Sequence, residues 1–255
     1  MNALIRSEFR KVFSTKLLWI LSLSALGFML LQIFLSVLVT PPGFEDLNQL
    51  MDPAYIKTII ASAGAASIFL LILGIVAMSG EYRNQTITST FLTTPVRWRV
   101  MAAKMITFAI LALGLALVLW FIAAITTMLL LGTQESAPFE WSAAFEILGG
   151  TLIGLVLYAI LGVAIGSLIT SQVAAIVIAL VFSFVVEPLI TIFFLSIGKW
   201  LPGSALNAIL QTGGGGPESS ASDLLSVPVG IGVLVGYTVV LAVAAALITN
   251  KRDIT

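Results

Sequence analysis

Residues 143–169 read AAFEILGGTLIGLVLYAILGVAIGSLI, residues 170–172 read TSQ, and residues 173–197 read VAAIVIALVFSFVVEPLITIFFLSI. Each apolar run is longer than the roughly 20 residues that carry a helix through a bilayer core. Three polar residues leave room only for a tight turn, so the two runs predict an antiparallel pair of spanning helices. A backbone surrounded by lipid must satisfy its own hydrogen bonds, and no alternating ten-residue strands occur, so the spans are read as helices. Their only charges are Glu146, near the start of the first, and Glu187, followed by Pro188 within the second.

Outward from this hairpin, four more stretches qualify as spans: 17–39, 57–79, 105–131 and 227–249, with Lys57 the one charge at an edge. The 255-residue chain is 59% hydrophobic and 9% charged, against about 45–50% apolar and about 25% charged for soluble domains. That excludes a soluble globular protein, and the hydrophobicity excludes disorder. The expected fold is an all-α integral membrane protein, one transmembrane domain over residues 1–255 with six spanning helices. With no His and no Cys, disulfide scaffolds, thiolate zinc sites, cysteine nucleophiles and imidazole-dependent triads are also excluded.

Before the first span, Leu4, Ile5, Phe9, Val12 and Phe13 share one helical face, while Arg6, Arg10 and Lys11 lie elsewhere. This is the pattern of a helix lying in the membrane interface over residues 1–16. The apolar run that follows is too long for the h-region of a signal peptide and is read as a retained span. Alternating spans then sort the charges. One side receives ten of the twelve bases and three acids, Glu8, Glu81 and Asp253. The other receives Lys57, Lys199 and eight acids, with Glu187 left in the membrane. By the positive-inside rule both termini are cytoplasmic. The overall net charge of zero gives no basic-protein case for a nucleic-acid partner.

Among the outer loops, 198–226 stands out, because Trp200-Leu201-Pro202 and residues 205–210 are semi-apolar. A short helix or re-entrant piece is expected there, followed by a flexible linker through Gly213–Gly216. Span four carries Gly150, Gly154, Gly162 and Gly166 at a spacing that permits close helix packing, and Gly232 with Gly236 repeats the pattern in span six. Glu187 is costly at bilayer depth, roughly 2.5–3.5 kcal/mol on insertion scales, and Pro188 favours a kink. Two readings stay open. Either the helix breaks there and Glu187 marks the outer end of a shortened span, or Glu187 serves substrate passage or gating.

The loop at 80–104 is the most informative. Thr94 can cap a helix that begins at Pro95, residues 86–93 suit a short docking helix, and Arg97, Arg99 and Lys104 mark the start of span three. On spacing alone the basic topogenic loop is the better reading. Its sequence, however, resembles the first cytoplasmic loop of type-2 ABC export permeases, a bacterial transporter family. The match runs through Glu81-x-Arg83-x-x-Thr86, then Phe91-Leu92-x-x-Pro95-x-Arg97-x-Arg99, then Lys104. The six spans, the amphipathic start and the hairpin of spans four and five agree with it. Gln85 stands where the family often has Gly.

The resemblance implies a coupling helix formed by this loop and seated on a cytoplasmic ABC ATPase subunit. Glu81, Arg83, Thr86, Phe91, Leu92, Pro95, Arg97 and Arg99 would be the coupling residues. The interfacial helix, through Arg6, Phe9, Arg10 and Phe13, would be the second contact. It further implies pairing with a second permease copy or a related permease in a bacterial plasma membrane, amid membrane lipids. ATP and Mg would be bound by the partner, with no cofactor in this chain. This agrees with the absence of a G-x-x-x-x-G-K-[S/T] motif. The chain would then be non-catalytic by itself, moving a lipid-like, drug-like or peptide cargo outward. The alternative is an autonomous secondary transporter or channel using Glu187.

Overall fold

A computed structural model of the protein describes residues 2–38, 50, 52–84, 97–133, 136–212 and 225–251, and every regular element among them is helical. The chain opens with α1 (Asn2–Ser14), turns at Thr15, and enters α2 (Lys16–Leu38). The second span is jointed: α3 (Pro53–Ala61), a 3₁₀ stretch (Ser62–Ala66) and α4 (Ser67–Arg83). Then come α5 (Arg97–Leu131) and α6 (Trp141–Leu168). The fifth span combines α7 (Gln172–Val181), a π-helical turn (Phe182–Val186) and α8 (Glu187–Phe193). Two short helices, α9 (Leu195–Gly198) and α10 (Pro202–Ile209), precede α11 (Val227–Lys251). Among the described residues six helical segments are long and apolar enough to cross a membrane, as the hydropathy of the sequence predicts.

Local chemistry sets several of these boundaries. Asp52 accepts a hydrogen bond from the Ala54 amide at 2.8 Å, and Pro53 sits at the first helical position, so α3 begins there. In the hairpin turn, the Ser171 hydroxyl accepts from the Ala174 amide and starts α7. The fifth span departs from its expected form. Pro188 has no amide to donate and its ring would strike the carbonyl four residues earlier, yet the helix does not break there. The turn before it widens into the π form, which absorbs the proline. The helix continues to Phe193 and ends at Phe194, whose backbone is non-helical at φ −137° and ψ 66°. The span is therefore shorter than the expected 173–197, and Glu187 lies inside it rather than at its outer end.

α6 is the central helix and its glycines explain why. A Cβ on Gly162 would strike the Leu71 carbonyl, one on Gly166 would lie 2.5 Å from the Ile75 carbonyl oxygen, and one on Gly74 would lie 2.6 Å from that of Ala159. The backbones of α4 and α6 thus touch along a seam that only glycine permits. The same stripe continues upward: Gly150 meets the Ile209 carbonyl and Gly154 meets the Leu206 side chain, which seats α10 against α6. On the other side, Ala25, Met29, Ile33 and Val37 of α2 are buried with Phe108, Ala112, Ala116, Leu119 and Ala123 of α5. The outward faces, including Trp19, Leu23, Phe121, Phe184 and Val240, are exposed and apolar, as a lipid solvent requires. Gly232 and Gly236 do not follow the expected pattern, since a Cβ on either would meet nothing within 4 Å.

Candidate functional site

α1, the end of α4 and the start of α5 meet in a group of four charges, three of them buried. Lys104 is 2% exposed and Glu8 3% exposed. The Lys104 ammonium donates to Glu8 Oε2 at 2.5 Å, to Glu81 Oε1 at 3.0 Å and to the Ala77 carbonyl at 3.4 Å, so its three protons have three acceptors. Lys11 donates to Glu8 Oε1 at 2.7 Å and to Glu81 Oε1 at 2.9 Å, with its own side chain partly in solvent. Two ammonium groups and two carboxylates sum to zero. A buried charge costs several kcal/mol unless partners replace its water, and here each has at least two.

Electrostatics follow the geometry. Burial pushes the Glu8 carboxyl up, but Lys104 and then Lys11 outweigh burial, and the net value falls below the usual 4.5. Burial likewise pulls Lys11 down, and its bonds to Glu8 and Glu81 reverse this and hold it above 10.5. Both groups are therefore charged across the physiological range.

The position of this cluster gives it consequence. Glu81 lies two residues before Arg83, where α4 ends, and Lys104 two turns inside α5, which begins at Arg97. The loop expected to couple runs between these two helix ends, and α1 is tied to both of its roots, by Glu8 to Lys104 and by Lys11 to Glu81. Of the expected coupling residues, Thr86, Phe91, Leu92 and Pro95 lie outside the described residues, as do Gln85, the Thr94 cap and the Arg97 side chain. Arg83 and Arg99 are exposed, and the Arg99 guanidinium lies 5.8 Å from the Trp98 ring centroid. In α1, Phe9 and Phe13 stack with centroids 6.2 Å apart, and Arg6 and Arg10 face outward.

Lys104, counted in the sequence among the bases that orient the chain, is among the largest fully buried side chains of the described residues. Its neighbours Val100, Met101, Ala103 and Met105 are apolar, a sign that this lysine would be enclosed.

A family model described as ABC-2 family transporter protein matches residues 4–186, from α1 to the π turn and across the whole cluster. The chain belongs to that family. It is thus a multi-pass membrane permease of an ABC transporter, and this membership implies association with an ABC ATPase subunit. No curated protein matches the chain.

The opposite end of the permease holds a second arrangement. Glu187 is 6% exposed, and its Oε1 accepts from the amides of Gly203 at 2.5 Å and Ser204 at 3.0 Å. These are the first free amides of α10, whose own N-cap residue, Leu201, offers no side-chain acceptor. A carboxylate at a helix N-terminus also meets the positive end of its dipole. Glu187 therefore caps α10 from another helix and holds it in the protein, where Ala205, Leu206, Ala208 and Ile209 are buried. Glu187→Ala is expected to leave both amides unpaired and cost about 1–3 kcal/mol, read as earlier thermal unfolding. Glu187→Gln, which keeps one acceptor oxygen, is expected to fall between the two.

Near that end, Lys57 of α3 pairs with Glu146 of α6, so the two single charges at span edges compensate each other. They line an open cleft with Pro53, Pro138, Glu140 and Ser142. Among the described residues, no three of His, Cys, Asp and Glu converge as metal ligands.

Proposed function

We propose that the chain is the membrane half of an ATP-driven exporter, with both termini cytoplasmic in a bacterial plasma membrane. A separate subunit binds ATP and Mg and seats the 80–104 loop. Two permease copies, identical or related, enclose the path, and a lipid-like, drug-like or peptide cargo moves outward. The observation that carries this reading is the buried cluster at the root of the loop, within the segment shared with the ABC-2 family. A loop that only oriented the chain would need exposed bases alone. Here two carboxylates and two ammoniums fasten α1, α4 and α5 so that a push on the loop reaches all three together.

Glu187 does not favour an autonomous transporter. A carboxylate that relays protons or ions changes partners during transport, whereas this one is committed to the amides of α10.

The test is co-purification. The tagged permease, expressed with ABC ATPase subunits of its own organism and extracted in mild detergent, is expected to retain one of them in stoichiometric amount. Charge reversal at Arg97 and Arg99 is expected to reduce the retained fraction at least tenfold. Failure of the intact chain to retain any ATPase, with no change in ATP hydrolysis on mixing, would overturn the reading.

A further inference from the structure

Within residues 1–16 the only acid is Glu8, and its carboxylate is taken up by Lys104 and Lys11. The surface of this segment is consequently cationic. Arg6, Arg10 and Lys16 are exposed and form no ion pair among the described residues. Arg6 and Arg10 are one helical turn apart, and Phe13, 52% exposed, lies on the adjoining part of that face. The chain turns at Thr15, and α2 then presents Trp19, Ile20 and Leu23, each more than half exposed.

Exposed bases and exposed apolar side chains thus follow each other through the corner where α1 gives way to the spanning α2. Such a surface complements a ligand with an anionic head and hydrocarbon tails. We propose that this corner is a docking surface for an anionic phospholipid. Its phosphate sits among Arg6, Arg10 and Lys16, and its acyl chains lie over Phe13, Trp19 and Leu23. Because Glu8 and Lys11 project from the same helix into the buried cluster, a lipid seated here also steadies α1 against the roots of the loop. The assignment requires the chain to lie in a bilayer and stands independently of the ATPase reading.

The experiment uses the purified, delipidated full chain in an uncharged maltoside. Its thermal unfolding is followed with added dioleoyl-phosphatidylglycerol, dioleoyl-phosphatidylcholine or glycerol phosphate. Phosphatidylglycerol is expected to raise Tm several degrees more than either of the others. The triple variant R6Q/R10Q/K16Q is expected to lose that difference, while R6K/R10K and the control R83Q/R99Q keep it. Retention of phosphatidylglycerol in native mass spectra, expected to weaken roughly fivefold per base removed, gives the same comparison for R10Q alone should the triple variant fold poorly. Three results would overturn the proposal. One is an unchanged preference for phosphatidylglycerol in R6Q/R10Q/K16Q. Another is an equal response to glycerol phosphate, which marks a free-anion site. The third is loss of ATPase binding by R6Q/R10Q/K16Q with its lipid preference intact, which marks a protein contact.

Discussion

Lys104→Met is expected to destabilise the permease by about 3–5 kcal/mol, the usual cost of leaving one side of a buried ion pair uncompensated. Methionine fills nearly the same space, so the loss reports charge rather than a cavity. Within the cluster Glu8 and Glu81 would keep Lys11, which is itself partly in solvent. Replacing all three together, as E8Q/E81Q/K104M, removes the charges that need compensation and is expected to recover most of the loss, since neutral replacements of buried ionic groups are often well tolerated. Tryptophan fluorescence during thermal or SDS-induced unfolding compares the variants. A loss in K104M that the triple variant does not recover would mean that Lys104 acts through packing instead.

The same cluster sets a pH window. Glu8 has a lowered native pKa, so the stability it adds is fully present above the ordinary value of 4.5 and is lost as pH falls through the lower native value. Lys11 has a raised one, so its contribution is present below 10.5 and is lost as pH rises through the higher native value. Between these limits unfolding is expected to show little dependence on pH from this cluster, and E8Q/E81Q/K104M is expected to flatten its acid-side fall.

The second large effect is expected at Gly162. An added methyl group would strike the backbone carbonyl of Leu71, which cannot rotate away as a flexible side chain could. Gly162→Ala must therefore part α4 from α6, and overpacking of this kind costs about 1–3 kcal/mol. The upper end is expected here, because Gly166 and Gly74 hold the same seam and their contacts would open together. Gly232→Ala is the control: a Cβ there meets nothing within 4 Å, and a change within about 0.5 kcal/mol is expected. Unfolding of both variants in the same detergent makes the comparison. Equal effects at the two positions would contradict the assignment of the α4–α6 contact as the tight seam.

These two sites differ in how far the sequence revealed them. The glycine stripe was legible because a spacing of four on an apolar helix fixes a face, and the hairpin was legible because lipid dictates span length. What periodicity could not tell was which stripe finds a partner: span four uses its glycines against α4 and α10, whereas Gly232 and Gly236 face open space. The charge cluster was hidden for another reason. Counting bases by side treats each as solvated, and Glu8 and Lys104 are 96 residues apart, beyond the reach of any local pattern. Two signs were nonetheless present. Glu8 lies on the arc of Ile5 and Val12, the face that must pack, and Lys104 sits among apolar neighbours.

Glu187 was half legible. Its cost in a membrane marked it, but its partners are backbone amides, which leave no residue signature. The hint was on the other helix, where Leu201-Pro202 opens α10 without a Ser, Thr, Asp or Asn to cap it. The π turn was not readable, because the sequence allows a proline either to break a helix or to widen the turn before it, and packing decides between them.

The central claim is that the cluster transmits the action of the ATPase through the roots of the 80–104 loop. It is tested most directly by measuring ATP hydrolysis by an ABC ATPase that co-purifies with the permease, reconstituted in nanodiscs with intact permease and with E8Q/E81Q/K104M. Intact permease is expected to alter the hydrolysis rate severalfold relative to the ATPase alone. The triple variant, folded and still bound to the ATPase, is expected to lose most of that response. A bound triple variant with the response of the intact chain would contradict the account.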